Sequence, residues 1–114
     1  MTSPKVVTPK TMKAAYEFLK KVSFAGLKIP ESKNITFEAK NLKKYHGYYK
    51  YPEHIVTINT GTKTINGLLQ IMAHEMIHVA LEQNAASDHD KHDAHFEELA
   101  RIIECEMGWP KGCV

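Results

Sequence analysis

The sequence predicts an α+β fold in which helices pack on one three-stranded antiparallel sheet. Three observations predict it. Apolar residues recur at helical spacing near both ends of the 114-residue chain. Between them, residues 35–59 contain short runs that alternate with period two. The resulting order is helix, three strands, then two helices, which groups the strands instead of interleaving them with helices.

The first helix is expected to start with Thr8 as N-cap and Pro9 in the first helical position, where a missing N–H has no consequence. Met12, Ala15, Tyr16, Leu19 and Val22 follow at helical spacing, and Gly26 closes the run. Ile29-Pro30-Glu31-Ser32 reads as a turn. Ile35 to Ala39 and His54 to Asn59 alternate as strands, and the aromatic-rich segment Tyr45 to Tyr51 supplies a strand between them until Pro52 stops it. Three short strands in succession imply an antiparallel meander. Thr62 or Thr64 caps a long second helix reaching about Gln83. Residues 85–88 form a loop, and a third helix runs from about Asp90 to Met107, ended by Gly108 and Pro110.

The length fits a single domain over residues 1–114 with one packed core. Hydrophobic residues at 43% and charged residues at 25% exclude a disordered or fibrous chain. No apolar run approaches the roughly 18 residues that span a bilayer, so no membrane partner is expected. The N-terminal residues lack the apolar core of a signal peptide. Two cysteines, Cys105 and Cys113, are too few for a disulfide framework or a four-thiolate zinc site. These features lead to the expectation of an intracellular, cytoplasmic protein. Charge is uneven: residues 1–63 carry twelve lysines against four glutamates, whereas residues 64–114 carry three basic residues against nine acids. The first half can therefore face a polyanion, although lysine-rich surfaces also serve solubility alone.

His74-Glu75-Met76-Ile77-His78 is the motif that carries chemistry. Residues i and i+4 lie one turn apart on one helix face, so both imidazoles can reach one zinc ion at about 2.0–2.1 Å. Glu75 projects beside them, placed to take the proton of an attacking water. On a helical wheel Ile65, Leu68, Met72, Met76 and Val79 cluster on one side, and Ile71, Ala73, Ile77 and Leu81 fill most of the rest. That pattern marks a buried central helix with a polar stripe of Gln70, His74, His78 and Glu82. Buried histidines and a carboxylate need partners, because an unsatisfied buried polar group costs on the order of 1–3 kcal/mol. A metal satisfies them together. The alternative is core histidines bonded to backbone or water.

A catalytic zinc takes three protein ligands and keeps one position open. His89, His92 and His95 compete for the third, with Glu97 and Glu98 behind them. Stepping about 100° per residue groups His92 with Phe96, Leu99 and Ile103 on the inward face of the third helix. His95 falls at the margin, where it can support the ligands from behind, and His89 precedes the helix. His92 is therefore the expected ligand, with one Zn2+ per chain.

With these residues in hand, the chain resembles the SprT-like, Spartan-type metalloprotease domain. The resemblance rests on His74-Glu75-Met76-Ile77-His78, on the His92-x-x-x-Phe96 element, and on the strand-turn-helix from Ile55 to Met72. Asp93 stands after His92 where the family usually has glycine, and the chain has too few cysteines for the zinc ribbon of many relatives. The resemblance implies a zincin-like fold, a minimal stand-alone zinc peptidase with a protein or peptide substrate, action on DNA-associated proteins, and a viral or mobile-element type.

The leading expectation is a zinc-dependent endopeptidase that holds an extended peptide by strand addition at a sheet edge near Ile55 to Asn59. A second reading is a nucleic-acid-binding module whose zinc site is structural or vestigial. Lys40, Lys43, Lys44 and Lys50 interleave with Tyr45, Tyr48, Tyr49 and Tyr51, a pattern suited to weak, sequence-independent DNA binding through phosphates and base stacking. A charged edge strand that resists aggregation explains the same lysines. None of the four tyrosines is singled out as an oxyanion donor.

Overall fold

A computed structural model describes residues 5–83, 92 and 94–114. The elements appear in the expected order: α1 (Pro9–Val22), β1 (Thr36–Lys40), β2 (Gly47–Lys50), β3 (Ile55–Asn59), α2 (Ile65–Gln83) and α3 (Ala94–Met107), with a short 3-10 turn at Ser32–Asn34. Thr8 caps α1 through a reciprocal pair of bonds. Its Oγ1 accepts from the Thr11 N–H at 3.1 Å, and Thr11 Oγ1 accepts from the Thr8 N–H at 2.9 Å. The helix stops at Val22, four residues short of Gly26, where the Ser23 N–H still reaches the Leu19 carbonyl. Thr64, of the two threonines considered, caps α2: its Oγ1 accepts from the Gly67 N–H at 2.9 Å.

The sheet corrects the expected meander. The strand order is β1-β3-β2, with β3 parallel to β1 and antiparallel to β2. The most apolar strand takes the centre, where both of its edges are covered, and its middle residues Val56, Thr57 and Ile58 are fully buried. The chain between β1 and β2 must therefore cross the end of β3. Asn59 secures that crossing, donating from Nδ2 to the carbonyls of Leu42 at 2.9 Å and Tyr45 at 3.0 Å. Because β3 is paired on both sides, the backbone from Ile55 to Asn59 has no free edge to offer a peptide. The strand-addition site expected there does not exist. β2, paired only to β3, keeps an outer edge that is unpaired among the described residues.

Gly47 is required at the start of β2. A Cβ there would lie 2.5 Å from the Thr57 carbonyl oxygen and 3.2 Å from Ile71 of α2, so only glycine lets the strand approach both. The helices cover one face of the sheet. Tyr16 of α1 meets Phe37 of β1 edge-on at 5.5 Å between ring centroids, and its hydroxyl donates to the Pro30 carbonyl at 2.6 Å. α2 lies in the middle of the molecule, touching α1, α3, β2 and β3. Every residue from Glu75 to Leu81 is buried, as expected of a helix apolar nearly all round. Phe96, Ala100 and Ile103 form the inward face of α3. Among the described residues, no helix is long and apolar enough to cross a membrane. The loop expected at 85–88 lies outside the described residues, and α3 starts at Ala94, later than the expected start near Asp90, with His92 outside the helix.

Candidate metal centre

Helix α2 sets His74 and His78 one turn apart, with ring centroids 5.3 Å apart. His92 arrives from outside α2. Its Nε2 lies 3.1 Å from Nε2 of His74 and 3.1 Å from Nε2 of His78. Ring nitrogens of the three histidines all fall within 4.8 Å of one another, a group able to hold a metal ion. Nitrogens on two corners of a tetrahedron of zinc–nitrogen bonds stand about 3.3–3.4 Å apart, close to what the rings already adopt. Glu75 is not a member of that group.

His92 reaches the group differently from the helical-wheel expectation. It is not helical: α3 begins two residues later, at Ala94. The ring is held by packing instead of by a helical backbone. Phe96, 2% exposed, lies under all three imidazoles, with centroid separations of 4.7 Å to His74, 5.0 Å to His78 and 4.8 Å to His92. The helix need only fix Phe96, and the aromatic floor then positions the ring that precedes it.

Electrostatics favour neutral ligands and a basic carboxyl. Burial first, and then the neighbouring His78 and His92, lower the His74 pKa to about 4, which leaves the ring uncharged at neutral pH. Its Nδ1 lies 3.4 Å from the Val114 backbone oxygen. That oxygen can only accept, so Nδ1 carries the proton and Nε2 keeps its lone pair toward His92. Burial pushes the Glu75 carboxyl up to about 8. Glu75 is 4% exposed, on a helix buried from Glu75 to Leu81.

The model of the SprT-like family matches residues 12–113. The chain belongs to the SprT-like family. No curated protein matches it.

In this SprT-like chain two hollows flank the three histidines. A cleft of about 800 Å3 runs from Lys44 and Tyr45 past Gln70 and His74 to Cys113 and Val114. A smaller one of about 210 Å3 is bounded by Tyr48, Tyr49 and Tyr51 on the β2 side and reaches the same histidines and Glu75. Both hollows reach the group, which among the described residues offers three donors, one fewer than a closed structural zinc site has.

The remaining sequence-derived candidates separate. His95 is exposed on α3 and is not part of the three-histidine group. His89 lies outside the described residues. Glu97 turns to Arg101 at 3.0 Å, and Glu98 is exposed. Two of the four lysines are paired with acids, Lys40 with Glu38 at 3.2 Å and Lys50 with Glu53 at 3.4 Å. Lys43 is exposed on the crossing segment, and Lys44 lines the larger cleft.

Two polar networks behind the site went unforeseen. The Tyr49 hydroxyl donates to Glu82 at 2.9 Å and lies 2.8 Å from His54 Nδ1. Burial, then the bond to Glu82, raises the Tyr49 phenol well above its ordinary value, so its proton is committed to that carboxylate. His54, at a left-handed φ of 59°, completes the set. Glu82 ends the polar stripe of α2, and that stripe was the available signal. The second network centres on Glu104, 2% exposed. Its signal was a carboxylate on the inward side of α3, one turn beyond Ala100.

Proposed function

We propose that the protein is a zinc-dependent endopeptidase that uses Glu75 as general base. The observation that carries this reading is the meeting of the His74, His78 and His92 Nε2 atoms beside a buried Glu75, between two open hollows. The donor set fits zinc: neutral imidazole nitrogens, three in number, with spacings near those of a tetrahedral edge. Bound zinc supplies Lewis-acid polarisation of the scissile carbonyl and makes water more acidic.

The chain's own residues supply the rest. Glu75, ionised once a bound cation offsets the burial that otherwise holds a proton on it, takes a proton from the attacking water and delivers it to the amide nitrogen as the C–N bond breaks. The Phe96 floor keeps the three imidazoles in place during this exchange. β2 residues line the smaller hollow, and the N–H and C=O groups of its outer edge, unpaired among the described residues, suit an extended peptide added as a further strand. This favours unfolded or extended protein segments as substrates.

Nucleic acid enters as a second element of the proposal. Tyr45 is 65% exposed beside Lys43 and Lys44 on the crossing segment, where phosphate contact and base stacking can coincide next to the larger cleft. Such a contact suits substrates carried on DNA. It is also what a binding module with a vestigial metal site would show.

The test is cleavage of an unstructured protein by zinc-loaded protein, by chelator-treated protein and after zinc is restored, each with and without DNA. Cleavage should follow zinc through all three states, and His92→Ala should lose both zinc and activity. Protein that holds one equivalent of zinc yet cleaves nothing under any condition sinks the peptidase reading and favours the binding module.

A further inference from the structure

Glu104 is a buried carboxylate that the proposed chemistry does not use. A carboxylate is kept from water only where its lone pairs are filled. Here they are filled by the segment that follows α3. Glu104 Oε2 accepts from the Val114 N–H at 2.9 Å, both oxygens accept from the Gly112 N–H at 3.1 Å, and Arg101, one turn back on α3, donates from Nη2 to Oε2 at 3.1 Å with its Nε in ion-pair contact with Oε1 at 2.7 Å. Burial would raise this carboxyl, but the amides of Val114 and Gly112 and the Arg101 guanidinium outweigh it and hold the pKa below its ordinary value.

The clamp has a geometric consequence. Gly112 at φ +94° turns the chain back, and Trp109 Nε1 ties the same segment to Asn66 near the start of α2 at 2.9 Å. Val114 is thereby held at both ends of its backbone, the amide on Glu104 and the backbone oxygen facing His74 Nδ1 at 3.4 Å. Val114 and its neighbour Cys113 also wall the larger cleft.

We propose that Glu104 is a positioning residue for the metal centre: by clamping the amides of Gly112 and Val114 it presents the Val114 backbone oxygen to His74 and fixes that imidazole's tautomer and direction. The proposal rests on the reading of His74 as a metal ligand, and not on peptide cleavage. Partners that orient a ligating histidine are typically worth about 10–100-fold in metal affinity.

Two variants of the full chain test it, with zinc affinity read by competition against a chromophoric chelator and the His74 ring nitrogens read by NMR. Glu104→Gln replaces one acceptor oxygen with an amide that faces the donors of Gly112, Val114 and Arg101. Val114→Pro removes the amide proton and leaves Glu104 its other partners, so it decides the matter should Glu104→Gln not fold. Each folded variant should bind zinc at least about 10-fold more weakly, with the His74 Nδ1–H resonance lost or exchange-broadened. A folded Val114→Pro protein with the parent zinc affinity and an unchanged His74 resonance overturns the proposal. Weakened zinc binding in a chain that cleaves no protein supports this proposal and counts against the peptidase reading alone.

Discussion

Replacing Phe96 with alanine should damage both the fold and the metal centre, by amounts the packing allows one to work out. The ring is 2% exposed, so its removal forfeits nearly the whole burial of a phenylalanine side chain. Substitutions of that kind cost about 3–5 kcal/mol, against a total stability of about 5–15 kcal/mol for a domain of this size. The same ring is the common floor of His74, His78 and His92, at centroid distances of 4.7–5.0 Å. Without it, each imidazole regains rotamer freedom that zinc must then remove. If that ordering costs about 1.4 kcal/mol in total, zinc binds about tenfold more weakly. Urea unfolding of the metal-free protein, followed by Trp109 fluorescence, measures the first effect, and chelator competition measures the second. Phe96→Leu keeps an apolar floor and should lose much less of both. A loss below about 1 kcal/mol together with unaltered zinc affinity would refute the view that one ring supports the three histidines.

Other outcomes follow from the same structure. In metal-free protein the Glu75 carboxyl, pushed up to about 8 by burial, keeps its proton in the folded state when the unfolded chain has already lost it. The Glu75 contribution should therefore fall as pH rises from about 4.5 to 8, opposed up to about pH 6.5 by His74, whose ring, lowered to about 4, favours the fold more as pH rises. The net fall should show between about pH 6.5 and 8, and Glu75→Gln should remove it and stabilise the metal-free fold at pH 7 by up to about 3 kcal/mol; identical slopes in parent and variant would contradict this. DNA binding should be weak, salt-sensitive and indifferent to sequence. Removing Lys43 and Lys44 should reduce it more than removing Lys40 and Lys50, which already face Glu38 and Glu53. Fluorescence anisotropy at low salt checks both points. No binding removes the nucleic-acid element, and equal losses from the two pairs refute its location.

What the sequence made legible follows its local rules. Thr8 before Pro9, Thr64 before an apolar run, and histidines four apart on a helix buried on all sides are patterns readable within one or two turns, and the structure shows each in place. His92 was readable because it precedes Phe96 by four residues, although the reason assigned to that spacing was wrong. The ring reaches the group from outside the helix, resting on Phe96. The sheet order was not readable. Alternation of side chains sets which face a residue takes but leaves open which strand lies beside it, and here that choice depends on Asn59 holding the carbonyls of Leu42 and Tyr45. Glu104 and Val114, like Tyr49 and Glu82, meet only through tertiary folding. A buried carboxylate on an inward helix position was the trace they left.

The most direct test of the central claim compares the parent protein with Glu75→Gln, prepared in parallel, with zinc content measured before cleavage of an unstructured protein is followed. Glu75 is assigned to the proton of the attacking water and stands outside the three-histidine group. Both proteins should therefore carry one zinc per chain, and only the parent should cleave. A variant that loses its zinc as completely as His74→Ala makes Glu75 a ligand, and a variant that cleaves as fast as the parent removes it from the chemistry; either result contradicts the account.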